Sequence, residues 1–207
     1  MRIYIVRHGE TDANKEGYLQ GWNDGSLNEN GRMLAQITGR GMKGIHFDCC
    51  ISSPLTRAKE TAEIILRESG NSISVSIDDR IKEISFGSLE RTKIRDEDVI
   101  RFLKKPILDL KFPDGESIKE VMERTQEFLK ELIAKDDGRT YLVSTHGCAL
   151  RSMLNFLYED PEDYWHGHVP YNCCVNILDV KDGKEALIAD DKIYYDKKLA
   201  IDRYRFT

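Results

Sequence analysis

Near the start of the chain the apolar run Ile3-Tyr4-Ile5-Val6 ends directly in Arg7-His8-Gly9-Glu10-Thr11. Four apolar residues in succession, two of them isoleucine, read as a strand buried on both faces, the kind that lies inside an α/β sheet. Such a strand delivers its last residues to the carboxyl edge of the sheet, where open sheets of this type bind ligands. A guanidinium, an imidazole and a glycine arriving there together suit chemistry on an anion. The same tripeptide also fits a solvated strand end, so the rest of the chain has to decide between the two.

Two later segments repeat the pattern. Thr140-Tyr141-Leu142-Val143-Ser144 runs into Thr145-His146-Gly147, with Leu150, Met153, Leu154 and Leu157 marking a helix behind it. Phe47 to Ser53 reads as a short strand running into Pro54-Leu55-Thr56-Arg57-Ala58, with Pro54 where proline is tolerated at a helix start. Leu55, Ala58, Ala62, Ile65 and Leu66 form the apolar stripe of that helix. Arg57 is then expected in its first turn, beside free backbone N–H groups and the positive end of the helix dipole, which makes an anion site. A solvated arginine on a helix face is the alternative.

The remaining stretches fill in an alternating pattern of strands and helices. Residues 9 to 31 are polar, glycine-rich and aperiodic, a long loop anchored by Tyr18, Trp22 and Leu27 and, at this length, more often functional than idle. A helix is expected over Arg32 to Met42, with Met33, Leu34 and Ile37 on one face, and a third strand over Ser72 to Ile77. The charged stretch from 88 to 116, with a short helix around Asp96 to Lys104, reads as a cap over one end of the sheet. Ser117-Ile118-Lys119-Glu120 is a capping box that opens a long helix to about Ala134. A short helix is expected within 160 to 168. Strands over Cys174 to Val180 and Glu185 to Ala189 form a hairpin around Asp182-Gly183. The expectation is a three-layer α/β/α fold with a mainly parallel sheet and a small cap segment over its carboxyl edge. With 207 residues and no linker or repeat, it is one domain spanning 1–207.

Composition narrows the partners. The formal charge is -5, from 31 basic and 36 acidic residues, and no basic stripe accumulates, which argues against nucleic acid while leaving small anionic substrates open. The five cysteines, Cys49-Cys50, Cys148 and Cys173-Cys174, are odd in number and contain no C-x-x-C spacing, so they read as reduced thiols. No signal leader precedes the first strand and no apolar run approaches a membrane span. The reading is a cytoplasmic protein with no membrane partner; a homodimer is left open.

In a parallel sheet the strand ends cluster, so Arg7, His8, Arg57 and His146 can share one pocket, with Glu83 beside them. Two converging arginines match a phosphoryl group, whose oxygens accept bidentate charged hydrogen bonds. At this point the chain resembles a known family. The segments Ile5-Val6-Arg7-His8-Gly9-Glu10-Thr11-Asp12-Ala13-Asn14, Gln20-Gly21, Asn23 to Leu27, Ser52-Ser53-Pro54-Leu55-Thr56-Arg57, Glu83-Ile84-Ser85-Phe86-Gly87 and Ser144-Thr145-His146-Gly147 are similar, in order and spacing, to the histidine phosphatase superfamily, phosphoglycerate mutase-like branch. The resemblance implies that His8 is the nucleophile that takes the phosphoryl group, that Arg7, Arg57 and His146 bind its oxygens, and that Glu83 donates the proton. It implies substrate contacts from Asn14, Gln20, Gly21 and Gly147, and neither metal nor cofactor. Within the family it resembles the broad-specificity and α-ribazole phosphate phosphatases. Ser88-Leu89-Glu90-Arg91-Thr92 departs from their pattern, which puts the substrate in doubt.

Rival readings weigh less. A cysteine phosphatase loop at His146-Gly147-Cys148-Ala149-Leu150-Arg151 has only two residues between thiol and arginine, too few for that chemistry. A metal site at His166 and His168 has no third ligand nearby in sequence, and alternate residues of this kind are more often a polar turn. His46 reads as surface. A non-catalytic binding module would be expected to lack one of the inferred catalytic residues, and all are present. Within the family the short stretch after Glu83 favours a phosphatase over a mutase.

Overall fold

A computed structural model of the chain describes residues 1–97, 99 and 107–200. Its strands are β1 (Arg2–Arg7), β2 (Cys49–Ser52), β3 (Val75–Ile77), β4 (Thr140–Thr145), β5 (Val175–Lys181) and β6 (Lys184–Lys192). They form one sheet in the order β3-β2-β4-β1-β5-β6. The first four run parallel, while β5 pairs antiparallel with β1 and β6 antiparallel with β5. The helices are α1 (Asp12–Glu16), α2 (Glu29–Gly41), α3 (Thr56–Ser69), α4 (Ile118–Lys135) and α5 (Gly147–Leu154).

Side chains of a strand alternate between the two faces of its sheet, and β1 shows what each face meets. Ile3 and Ile5 pack with Phe128, Leu129 and Leu132 of α4 and Leu150 and Met153 of α5. Tyr4 and Val6 pack on the other side with Met42, Phe47 and the Ala62, Ile65 and Leu66 stripe of α3. Both faces are therefore covered, which is why the run shows no polar alternation, and the three-layer expectation holds. A third apolar cluster, including Leu19, Ile84, Phe86, Leu110, Phe112, Ile118 and Tyr164, packs the described part of the cap segment together. Among the described residues no helix is long and apolar enough to cross a membrane.

Several expected details differ. The loop over 9 to 31 contains α1, closed by a reciprocal cap between Thr11 and Asn14, too short to show periodicity. α2 begins at Glu29, capped by the Asn28 side chain, and it turns Gly31, Leu34, Ala35, Thr38 and Gly39 inward while Met33 is exposed. Small residues face inward because the contact is close: a Cβ on Gly39 would lie 2.7 Å from the Glu68 Cβ on α3. Pro54 lies outside α3, whose N-cap is Leu55. The Ser117 capping box forms as read and opens α4. Residues 160 to 168 are turns, with His166 and Gly167 both at positive φ. Trp22 is largely exposed while Leu27 is buried. Most of the helix expected around Asp96 to Lys104 lies outside the described residues.

Candidate active site

The parallel strands bring their carboxyl ends to one edge, as the register Arg7↔Thr145 and Ser52↔Ser144 shows. There Arg7, His8, Asn14, Gln20, Gly21, Arg57, Glu83 and Gly147 all line one cleft, which encloses about 750 Å³ of empty space counted to its open mouth. His146 sits directly beneath, its ring centroid 5.1 Å from that of His8.

His8 is buried, and its Nδ1 lies 2.7 Å from the carbonyl oxygen of Gly9. A carbonyl only accepts, so Nδ1 carries the proton and Nε2 carries the lone pair. Burial pushes the His8 pKa well down, and the charges of Arg57 and Arg7 push the same way, so the ring stays neutral. The Gly9 amide is itself held, donating to Thr61 Oγ1 at 2.9 Å.

The two arginines are anchored from behind. Arg7 Nη1 donates to the Pro170 carbonyl. Arg57, the second residue of α3, donates through Nη2 to the Gly21 carbonyl at 2.7 Å and through Nη1 to Asn23 at 3.2 Å. Burial pushes its pKa down to about 10, against the opposing pull of Glu83 and Asp24. His146 is set by a 2.7 Å contact between Nε2 and Ser53 Oγ, and burial, then Arg57, keeps it neutral. Arg7 Nε, Arg57 Nε and His146 Nδ1 are all buried without a hydrogen-bond partner. Buried polar groups are normally satisfied, so three such nitrogens around one imidazole mark a place for an oxyanion.

Glu83 faces this group from the other side. Its carboxyl accepts from the backbone N–H groups of Ile84 and Ala149, both at 3.0 Å, and of Cys148 at 3.4 Å. The last two belong to the first turn of α5, where the N–H groups have no helical partner. Cys148 therefore contributes its amide; its thiol is pushed well up by burial, with Glu83 adding to the effect, which is the wrong direction for a nucleophile. His166 stacks on Tyr158 and His168 lies 3.2 Å from Asp191, neither lining the cleft.

The expected substrate contacts Asn14 and Gln20 are partly engaged with protein. Asn14 Oδ1 accepts from the Thr11 amide at 3.2 Å and Gln20 Oε1 from Thr11 Oγ1 at 2.9 Å. Two residues absent from the expectation support them. Asn172 donates to the His8 carbonyl at 2.9 Å and lies 3.4 Å from Asn14 Oδ1, and Ser53 orients His146. Asn172 reaches the site because β5 is antiparallel: its amino end, with Val175 opposite Val6, lies at the edge where the parallel strands finish. The outer cleft wall, with Tyr18, Phe86, Ile94, Ile107, Phe112 and Trp165, is apolar, and half of these residues come from the cap.

A buried imidazole with a fixed lone pair, flanked by two guanidiniums, a second histidine and a carboxyl, agrees with the comparison to known proteins. Residues 3–190 match the model of the histidine phosphatase superfamily, branch 1. The chain belongs to this superfamily. It is similar to a protein named "Probable phosphoglycerate mutase GpmB" from Salmonella arizonae, 31% identical over 189 residues that cover 89% of this chain and 87% of that one. Bacillus stearothermophilus YhfR has the same fold at a TM-score of 0.83, with 30% identity over 93% of this chain and 97% of the other. A mutant phosphoserine phosphatase from Entamoeba histolytica, solved with phosphoserine, aligns with a TM-score of 0.76 and 27% identity over 91% and 95% of the two chains. The histidine phosphatase fold thus carries names from both mutases and phosphatases.

Proposed function

We propose that the protein is a phosphomonoester hydrolase that acts through a phosphohistidine at His8 on a small phosphorylated metabolite, in the cytoplasm where its five thiols stay reduced. The observation that carries the reading is the 2.7 Å contact of His8 Nδ1 with the Gly9 carbonyl, which leaves Nε2 as the nucleophile beside the unpartnered Nε–H groups of Arg7 and Arg57. In the first step the Nε2 lone pair attacks phosphorus, the bond to the ester oxygen breaks, and Glu83 gives that oxygen its proton. Arg7, Arg57 and His146 match the charge on the three remaining oxygens, where positioning and electrostatics supply most of the acceleration. In the second step Glu83, now a carboxylate, takes a proton from water as the water oxygen attacks phosphorus and frees His8. The guanidiniums supply the neutralising charge, so no step calls on a metal.

Hydrolysis is favoured over mutase transfer by the cleft wall. Its cationic side chains among the described residues are Arg7 and Arg57, both committed to one phosphoryl group, and the rest of the outer wall is apolar. Against the described part of that wall, the second phosphate and the carboxylate of a bisphosphorylated cofactor would meet apolar side chains. The expected outcome is vanadate-sensitive, EDTA-insensitive hydrolysis of phosphomonoesters that disappears in His8→Ala. A brief reaction with labelled substrate should trap an acid-labile, alkali-stable label on His8, and a label on Cys148 or a serine would overturn the mechanism. A screen of phosphorylated metabolites with and without 2,3-bisphosphoglycerate separates the two reactions. Turnover that depends on the bisphosphate and releases no inorganic phosphate would make the protein a mutase.

A further inference from the structure

We propose that Trp22 is a positioning residue for Glu83, acting through the planar peptide unit that joins Glu83 to Ile84; this rests on Glu83 being the proton donor. Trp22 is 43% exposed and does not line the cleft. Exposure alone would be ordinary for a single aromatic side chain; its contacts are not. The indole Nε1–H donates to the backbone carbonyl of Glu83 at 2.7 Å. The ring lies under the Lys82 ammonium, with Nζ 4.1 Å from its centroid. The Trp22 amide donates to Glu90 Oε1 at 2.9 Å, so the cap segment holds the tryptophan in place.

The Glu83 carbonyl and the Ile84 N–H belong to one trans peptide, and its resonance keeps them coplanar and pointing opposite ways. The Ile84 N–H is the group that donates to Glu83 Oε1 at 3.0 Å. A donor that fixes the carbonyl therefore fixes the direction of the N–H, and with it the carboxyl. No ladder of strand bonds does this instead, because Glu83 lies in irregular chain between the short 3-10 turns Asp79–Ile81 and Gly87–Leu89. Arg124 Nη2 also reaches the Glu83 carbonyl, at 3.0 Å, but Arg124 simultaneously binds the carbonyls of Arg80 and Lys82 and the carboxylate of Glu116. It tethers the whole segment from one side. Trp22 supplies the second point that stops one peptide from rocking about the chain axis.

The same short loop holds the phosphate site, since the Gly21 and Asn23 carbonyls on either side of Trp22 accept from Arg57. One strap thus joins the cap, the phosphate-binding arginine and the proton donor. Glycine is required next to the tryptophan: a Cβ on Gly21, at φ +54, would lie 2.4 Å from Glu90 Oε1 and 3.0 Å from the Phe86 ring.

Trp22→Phe tests this, because it keeps an aromatic side chain beside Lys82 while removing the N–H together with part of the indole surface. The experiment compares kcat and KM of the wild type, Trp22→Phe and Glu83→Gln on p-nitrophenyl phosphate, whose leaving group hardly needs a proton, and on glycerol 2-phosphate, whose leaving group does. Trp22→Phe is expected to lower kcat/KM on glycerol 2-phosphate about tenfold, short of the ~10²-fold cost of a 1 Å misplacement. The p-nitrophenyl phosphate kcat/KM should stay within about twofold, since it reports the transfer to His8 and not the later water step in which Glu83 is the base, and proton donation contributes little to that transfer. KM for glycerol 2-phosphate and the melting temperature should hold. An equal fall in kcat/KM on the two substrates, or none, while Glu83→Gln discriminates between them, overturns the role of Trp22 and leaves that of Glu83 intact. A Glu83→Gln enzyme that does not discriminate removes Glu83 from the acid role, and Trp22's role falls with it.

Discussion

Arg57 meets the cleft with both terminal nitrogens already bound to the Gly21 and Asn23 carbonyls, while its Nε–H is buried and unpartnered. The planar fork lets one side chain face the protein and the substrate together. A lysine has the charge without the fork, and its ammonium would meet the same burial that already pushes the arginine down to about 10. Arg57→Lys should therefore lose about 10²-fold in kcat, the usual cost of one lost donor to a developing oxyanion, with vanadate inhibition weakened in parallel. Steady-state kinetics with a vanadate titration check this, and unchanged vanadate affinity would remove Arg57 from the phosphoryl site. The arginine was legible from its place just past a strand and inside a helix start. Its carbonyl partners were not, because side-chain spacing says nothing about where a loop turns its carbonyls.

The amino end of α2 and the loop after β1 touch through their backbones, and this contact governs how the His8 segment is seated. A Cβ on Gly31 would lie 2.1 Å from the Glu10 carbonyl oxygen, and one on Gly9 would lie 2.7 Å from the Gly31 carbonyl oxygen. Neither obstruction is a side chain that can swing aside. Glu10, between them, is buried and accepts from Asn28 and Asn30, the N-cap and second residue of α2. Gly31→Ala should push α2 away from this loop, costing about 1–3 kcal/mol as overpacking does, and should lower activity by disturbing the Gly9 carbonyl that orients His8. Urea unfolding and kcat measure the two effects; unchanged stability would show that the contact is loose. This level also shows how far sequence reaches. Long periodic elements such as β1, β4 and α4 were legible because both faces are specified by many residues. α1 was hidden because a five-residue helix has no period, and its end is set by one cap. Asn172 was hidden because only strand orientation reveals that the start of β5 lies beside the ends of β1 and β4. The apolar cleft wall was hidden because it is assembled from the cap together with Tyr18, Phe86 and Trp165, segments far apart in sequence whose packing is long-range.

Across the whole molecule the site carries a linkage between protonation and folding. His8 and His146 are both held well below the ordinary imidazole range by burial and then Arg57, and His166 is lowered by burial beside Arg151. In the unfolded chain these rings return to about 6.5. Below that pH the unfolded state binds protons that the folded state refuses, so the stability from keeping these rings neutral is complete above about pH 6.5 and declines as the pH falls toward their folded values. Between pH 6.5 and 5.5 each fully buried ring should cost roughly 1 kcal/mol of stability. Most carboxylates have not begun to protonate in this window, so it isolates the histidines. The expected result is a wild-type unfolding free energy that falls on going from pH 7.5 to 5.5, and a His8→Asn/His146→Asn double variant that keeps a clearly flatter profile, its remaining slope coming from His166. Urea titrations at closely spaced pH values give both curves. Parallel slopes in the two proteins would mean that the site histidines accept protons in the folded state. Such an imidazolium at His8 would have no lone pair for phosphorus, so the same measurement bears on the chemistry: if His8 is held neutral, kcat should persist at pH values where a free imidazole is mostly protonated.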